Sequence, residues 1–305
     1  MTGTRRDHTA SGQLPIVVSH ADKVFWPEEG YTKLDLVEYY NAIFPKLLPY
    51  VKDRILTLER CPDGMEGECF FQKQLPKGMP PATPTKRIAH EANASQFTDY
   101  VVGGSLTTQL ALANLGCIAV HVMASRASSP RQPDWVCLDL DPESGKFADA
   151  ARAGLLVKAA LDTLNLVSFA KTSGSRGMHV LVPIRAGPDA DEVLAFAEAF
   201  GARMAAAHPD ELTVEHSVAA RGGRVYLDPF RNGFGQTVVA PYSVRRREKA
   251  PISTPLEWSE VKPTLIPSAF NIGNFHKRLS GSDPWESFSR ARQSIKDAMA
   301  ALKRL

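Results

Sequence analysis

The chain has 305 residues, enough for one large domain or two ordinary ones, and its 44% hydrophobic and 23% charged content is that of a folded globular protein, not a disordered one. Lys plus Arg total 36 against 33 Asp plus Glu, a net charge of +3, so overall charge does not announce a nucleic-acid partner and any basic surface must come from local clustering. Residues 1–13 are polar, and no run of about 18 apolar residues occurs, which excludes a membrane span and points to a cytoplasmic protein.

Residues 1–13 read as a disordered tail and 14–18 as a short apolar strand. Thr32 followed by Asp35 has the form of an N-cap with a carboxylate at N3. Leu36, Val37, Tyr40, Ile43, Leu47 and Leu48 recur at helical spacing, so a helix starts at about Lys33, with breaks toward its end at Pro45 and Pro49. Residues 54–60 and 68–73 form a hairpin through the turn Pro62-Asp63-Gly64. Phe70 and Phe71 are adjacent and so point to opposite faces, one to the core and the other outward, as a surface aromatic or a platform for a stacked base. Residues 75–85, rich in Pro and Lys, are loop; 98–102 are strand, 106–115 a buried helix, 117–123 a strand carrying His121, and 124–133 a polar connector. Cys61, Cys69, Cys117 and Cys137 form no C-x-x-C pair and have no accompanying histidine spacing. Reduced, mostly buried thiols are expected, with neither a zinc site nor a disulfide.

In the second half, 135–141 is strand, 147–164 helix, 166–171 strand, 172–177 a small Gly-containing loop, 178–184 strand and 189–207 helix. Strands at 224–228 and 237–244 and a C-terminal helix at 284–305 complete the chain. Strands and helices intermix without strict alternation, so the fold class is α+β, or mixed α/β. Asp139 and Asp141, at i and i+2 on an apolar strand, put both carboxylates on one face. Asp228 ends another strand in the same way. The Asp139–Asp141 motif alone is at least as well explained by a strand running out into an Asp-Pro turn, and Asp228 alone is better explained as a turn residue before Pro229. Together, three carboxylates without a Cys or His cluster select Mg²⁺ or Mn²⁺, the ions of two-metal phosphoryl or nucleotidyl transfer. The loop 172–177 offers backbone N–H groups, the Ser173 hydroxyl and the Arg176 guanidinium to phosphate. His179 lies just beyond it, and Arg221, Arg224 and Arg245 to Arg247 flank the Asp228 strand. Lys23 and Lys33, on either side of a turn at a helix start, suit a phosphate monoester.

In order and spacing, several short motifs resemble the polymerase domain of bacterial ATP-dependent DNA ligase D, within the archaeo-eukaryotic primase superfamily, and its stand-alone relatives. They are Asp22-Lys23-Val24-Phe25-Trp26-Pro27, Phe70-Phe71-Gln72-Lys73, Leu138-Asp139-Leu140-Asp141-Pro142, Lys171-Thr172-Ser173-Gly174, Gly177-Met178-His179, Val225-Tyr226-Leu227-Asp228 and Ala240-Pro241-Tyr242-Ser243-Val244-Arg245. The resemblance implies a primase-type fold with an RRM-like catalytic sheet beside a second mixed subdomain. It implies one module over 1–305, with an N-terminal subdomain at about 14–105, a catalytic core at about 106–260 and a C-terminal extension at 261–305. Asp139, Asp141 and Asp228 would be catalytic and hold two ions, Mn²⁺ or Mg²⁺. Ser173, Arg176, His179, Arg221 and Arg245, with His121, would bind the incoming nucleotide. Lys23 and Lys33 would grip the 5′-phosphate of a downstream strand while Phe70 or Phe71 stacks on template.

The implied activity is extension of DNA 3′ ends at gaps and double-strand breaks in non-homologous end joining, from NTP or dNTP substrates with ribonucleotides favoured, beside Ku and a DNA ligase in a bacterial, nucleoid-associated setting. A primase, a non-catalytic DNA-end binding module and a metal-dependent nuclease are the rivals. Three residues depart from the family pattern: Arg176 stands in place of Lys, Arg231 in place of Gln, and His20 in place of Asn. They are expected to bear on nucleotide selection and 5′-phosphate affinity and to leave the metal site untouched. No Lys-x-Asp-Gly ligase motif is present in the chain, so nick sealing is not expected of it.

Overall fold

Alternation along the strand Trp135–Pro142 sets the architecture. Val136, Leu138 and Leu140 enter one hydrophobic core, Trp135 and Cys137 another. The computed structural model describes residues 14–90 and 93–304, so the predicted tail at 1–13 lies outside the described residues. Trp135–Pro142 belongs to a six-stranded sheet ordered Leu212–Thr213, Val225–Asp228, Trp135–Pro142, Met178–Pro183, Phe169–Thr172, Pro255–Leu256, antiparallel at every pairing but the first. Helices Phe147–Thr163 and Ala190–Ala207 cover one face through small residues such as Ala150, Ala153 and Ala197. The other face turns toward the N-terminal half. There an antiparallel sheet ordered Val238–Val239, Cys117–Val122, Leu56–Arg60, Phe70–Gln72 shares a core with the helix Lys33–Val51. The mixed α/β class is as predicted.

Thr32 and Asp35 close the expected capping box, but the helix they start runs through both prolines to Val51. Each proline removes one donor. Buried Leu47, Tyr50 and Val51 and the Lys52 N–H on the Leu48 carbonyl, at 2.9 Å, hold the last turn together regardless. Residues 14–18 are not a strand; that segment is tied down by Asn114, which donates to the Val17 carbonyl and accepts from Ser19. Beyond the predicted loop, Thr85–His90 pairs with Asn93–Val101, a hairpin of which only the end was expected, and the polar connector contains the short pair Ser125–Arg126 and Ser129–Pro133. In the predicted strand 237–244 only Val238–Val239 is extended sheet.

The predicted C-terminal helix shrinks to Lys296–Arg304. Ahead of it, Trp285 and Phe288 stack with ring centroids 5.0 Å apart in the N-terminal core, while Ile295 enters the other. The cysteine expectation fails in part as well. Cys61 and Cys69 form a disulfide, because the Pro62-Asp63-Gly64 turn brings their Cα atoms to 4.4 Å, whereas Cys117 and Cys137 are free and buried as expected. No helix among the described residues is long and apolar enough to cross a membrane.

Candidate active site

Strand register builds the site. Lys171 pairs with His179, His179 with Asp139, and Asp139 with Asp228, so four ionisable side chains from four adjacent strands form one row on one face of the sheet. That face is the one turned away from the helices. At the centre, Asp139 Oδ1 lies 3.3 Å from His179 Nε2, and Arg231 Nε lies 3.4 Å from Asp139 Oδ2 and 3.2 Å from Asp228 Oδ2. Burial pushes the Asp139 carboxyl up, but His179, Arg231 and Lys171 outweigh it and hold it at about 2. Asp228 is raised by burial and by Asp139. Asp141 shares the face two residues further along, yet its side chain is 58% exposed and 3.5 Å from Arg221, which stacks on Tyr226 at 4.2 Å. Burial and Asp139 raise its pKa.

Basic and neutral nitrogen groups face these carboxylates. Burial lowers His179 to about 4 and Lys171 to about 7, so the histidine is neutral near pH 7. Lys171, fully buried, donates to Ser253 at 2.6 Å. His121 is lowered by burial and then by Arg245. His121 Nε2, His179 Nδ1 and Arg245 Nε are all buried with no hydrogen-bond partner among the described residues. Three orphaned nitrogens in one place cost free energy unless a ligand satisfies them.

The loop after Lys171 is tightly folded. The Ser173 hydroxyl accepts the Ser175 and Gly177 N–H groups at 3.2 Å each, and Arg245 donates to the Ser173 carbonyl at 3.0 Å. Gly174 has φ +72°, and a Cβ there would meet Arg245 Cγ at 2.6 Å. A Cβ on Gly177 would strike the Leu140 carbonyl oxygen. Gly177→Ala is therefore expected to push the loop off the central strand and lower stability by about 1–3 kcal/mol, read as a fall in the urea midpoint together with weaker nucleotide binding. Arg176 is exposed and, with Gly174, Ser175, Arg246, Arg247 and Lys249, lines a cleft of about 520 Å³.

The sequence-predicted residues thus divide. Asp139, Asp228, His179, His121, Ser173 and Arg245 converge, with Asp141, Arg221 and Arg176 at the rim. Lys23 and Lys33 form another cluster: Lys23 Nζ donates to Asp63 at 2.6 Å and to the Pro62 carbonyl at 3.2 Å, and Lys33 Nζ to the Ser19 carbonyl at 2.6 Å. Lys33 is lowered by burial and by Lys23. His20 has φ 49°, a left-handed conformation that Asn and His both enter more readily than most residues. The expectation that Phe70 or Phe71 is core is wrong. They are 41% and 63% exposed because their strand is the sheet's edge, and Phe71 meets the His121 ring edge-on at 5.4 Å. Arg231, expected to leave the carboxylates untouched, lies between two of them. The Lys171-Thr172-Ser173-Gly174 motif does not by itself assign Lys171 a place in the row. The signals were a carboxylate three residues before an arginine, and a lysine at the register position opposite His179.

The Oδ2 atoms of Asp139 and Asp228 fit a hard divalent cation: both are carboxylate oxygens, and a cationic guanidinium stands between them. Asp141 keeps the set incomplete, and no group of three His, Cys, Asp or Glu among the described residues is arranged to hold a metal ion outright. Paired carboxylates on a mixed sheet, faced by a basic loop and unsatisfied nitrogens, are the parts of a polymerase-type nucleotidyltransferase.

Residues 32–285 match the family model of the LigD primase-polymerase domain. The chain is 31% identical over 300 residues to the multifunctional non-homologous end joining protein LigD of Pseudomonas aeruginosa, covering 92% of this chain and 34% of that protein. It is 30% identical over 262 residues to the bifunctional LigD of Bacillus subtilis, covering 85% of this chain and 41% of that one. The chain therefore spans well under half the length of these relatives. The polymerase domain from Mycobacterium tuberculosis ligase D, solved in complex with DNA, superposes with a TM-score of 0.83 at 28% identity, covering 90% of this chain and 98% of that one. The chain belongs to the LigD primase-polymerase domain family, whose members are metal-dependent nucleotidyltransferases.

Proposed function

We propose that this chain extends DNA 3′ ends at gaps and double-strand breaks during end joining. Asp139, Asp141 and Asp228 hold two divalent ions, Mn²⁺ or Mg²⁺, whose chemistry is to acidify the attacking 3′-hydroxyl and to neutralise the departing pyrophosphate. Ser173, Arg176, His179, Arg221, Arg245 and His121 bind the nucleoside triphosphate, with ribonucleotides favoured. The observation that carries this reading is the placement of three orphaned buried nitrogens, on His121, His179 and Arg245, beside the Asp139–Asp228 pair. Phosphate oxygens would satisfy all three, whereas a nuclease or a pure binding module has no use for them. Ku and a ligase are the expected partners in a bacterial cytoplasm.

Lys23 and Lys33 grip a downstream 5′-phosphate, which takes the place of Asp63 on Lys23, and exposed Phe70 and Phe71 stack on template bases. Lys23→Ala is expected to weaken binding to 5′-phosphorylated gapped DNA about tenfold, the worth of one charge-assisted hydrogen bond, and to leave binding to 5′-hydroxyl gaps unchanged; fluorescence anisotropy on the two duplexes distinguishes them. The function itself is tested by primer extension on a short gapped duplex with Mn²⁺ or Mg²⁺ and either rNTPs or dNTPs. Metal-dependent extension that Asp139→Ala removes is the expected result. Synthesis that needs no primer would move the reading to a primase, and DNA binding without extension would leave a binding module.

A further inference from the structure

Asp139 and Asp228 each have one oxygen already engaged. Oδ1 of Asp139 faces His179, and Oδ1 of Asp228 accepts the Phe230 N–H at 2.9 Å with the Tyr226 hydroxyl at 3.4 Å. The two remaining oxygens, both Oδ2, converge on one atom, Arg231 Nε. The chain delivers Arg231 to that point. The 3₁₀ turn Phe230–Asn232 follows Asp228-Pro229 directly. Asn232, 1% exposed, pins this turn to the central strand by accepting the Cys137 N–H and donating to the Cys137 and Pro229 carbonyls, each at 2.8 Å. The arginine side chain is 43% exposed, which leaves it a way out toward solvent.

We propose that Arg231 is the resident counter-ion of the carboxylate pair, and that a divalent ion would have to displace it to be held by both Asp139 and Asp228. The inference rests on the metal-site reading given under Proposed function. Two facing carboxylates repel unless a cation lies between them. The guanidinium is that cation, and it occupies the two oxygens that an ion held by both carboxylates would need. Arginine stays charged at any working pH. It therefore cannot yield by losing a proton and has to swing outward. Metal affinity in the absence of substrate is lowered accordingly, and a neutral residue at 231 leaves the pair open to the ion.

The test is calorimetric titration of Mn²⁺ into the chelator-treated, nucleotide-free chain, with thermal melts before and after, for wild type, Arg231→Gln, Arg231→Lys and Asp228→Asn. Arg231→Gln is expected to bind Mn²⁺ about fivefold tighter than wild type, the upper end of what loss of one partly exposed competing ion pair predicts. Its metal-free form melts lower, because the carboxylates then face each other unscreened, and its rise in Tm with Mn²⁺ exceeds that of wild type. Arg231→Lys, which keeps the charge, binds Mn²⁺ as weakly as wild type. Equal affinity in wild type and Arg231→Gln, with Asp228→Asn weaker than both, overturns the counter-ion role and leaves the metal site standing. Mn²⁺ binding that neither Arg231→Gln nor Asp228→Asn changes, or that is absent from all four proteins, overturns the metal-site reading and the inference with it.

Discussion

Asp139→Asn is expected to reduce nucleotide incorporation by at least about a thousandfold, the scale of losing several kcal/mol of metal-borne transition-state stabilisation, while the protein stays folded. Asp139 is the middle of the row: His179 and Asp228 flank it in register, and Arg231 reaches it from the turn beyond Asp228. The pKa of about 2 means the carboxylate is charged throughout the working pH range. Asparagine keeps the shape and removes the charge. Asp141→Asn is expected to have the smaller effect on Mn²⁺ affinity, because its carboxylate is exposed and turned toward Arg221. Single-turnover extension with saturating Mn²⁺ separates a chemical defect from a binding defect. Retention of more than a tenth of wild-type incorporation in Asp139→Asn would remove this residue from the metal site.

The three aspartates were legible because each lies toward the end of an apolar strand whose alternation assigns its face without knowledge of the fold. Where Arg231 points was not. Its position depends on Asp139 lying opposite Asp228, a pairing between residues 89 positions apart that no local pattern records. Lys171 was hidden for the same reason: its burial follows from lying between the strands Met178–Pro183 and Pro255–Leu256. The loop 172–177 was legible as a turn between two strands, but Ser-Gly turns are common, so its composition alone does not assign it to phosphate.

Elements of the fold failed where tertiary packing overrode local signals. Pro45 and Pro49 mark helix ends by propensity, yet buried Leu47, Tyr50 and Val51 carry the helix through them. The hairpin Thr85–His90 and Asn93–Val101 has no apolar alternation to detect, because the first strand is largely exposed on both faces. In the C-terminal segment Trp285 and Phe288 recur at a helix-like interval of three, but both rings serve the N-terminal core from irregular backbone. Periodicity locates apolar side chains; it does not distinguish a helix face from two anchors on a strap.

The largest effect on stability is expected at Asp134, which immediately precedes the central strand Trp135–Pro142. Its Oδ1 pairs with Arg54, and its Oδ2 with Arg126 at 2.7 Å and Arg292 at 3.2 Å, so one 4% exposed residue ties together the N-terminal half, the connector and the C-terminal segment. Arg54 is fully buried, lies 3.5 Å over the Trp135 ring, and donates to the Met123 and Ala124 carbonyls at 3.0 and 2.8 Å. Asp134→Ala leaves that buried guanidinium unneutralised, and about 3–5 kcal/mol of unfolding free energy is expected to go with it. Arg54→Met should cost less, since Arg126 and Arg292 still neutralise the carboxylate. The double variant should fall short of the sum, as for any two partners in one network. Burial raises the Asp134 pKa, but Arg54 and Arg126 outweigh it and hold it below 3.8. Its contribution is thus fully present above the unfolded-state value of about 3.9 and is lost as pH falls through the lower folded-state value. Urea unfolding of wild type and Asp134→Ala at pH 7 and pH 3 checks both statements: the gap between their midpoints should narrow at the lower pH. A gap that stays constant would place the stabilisation in packing around Trp135, not in the ion pairs.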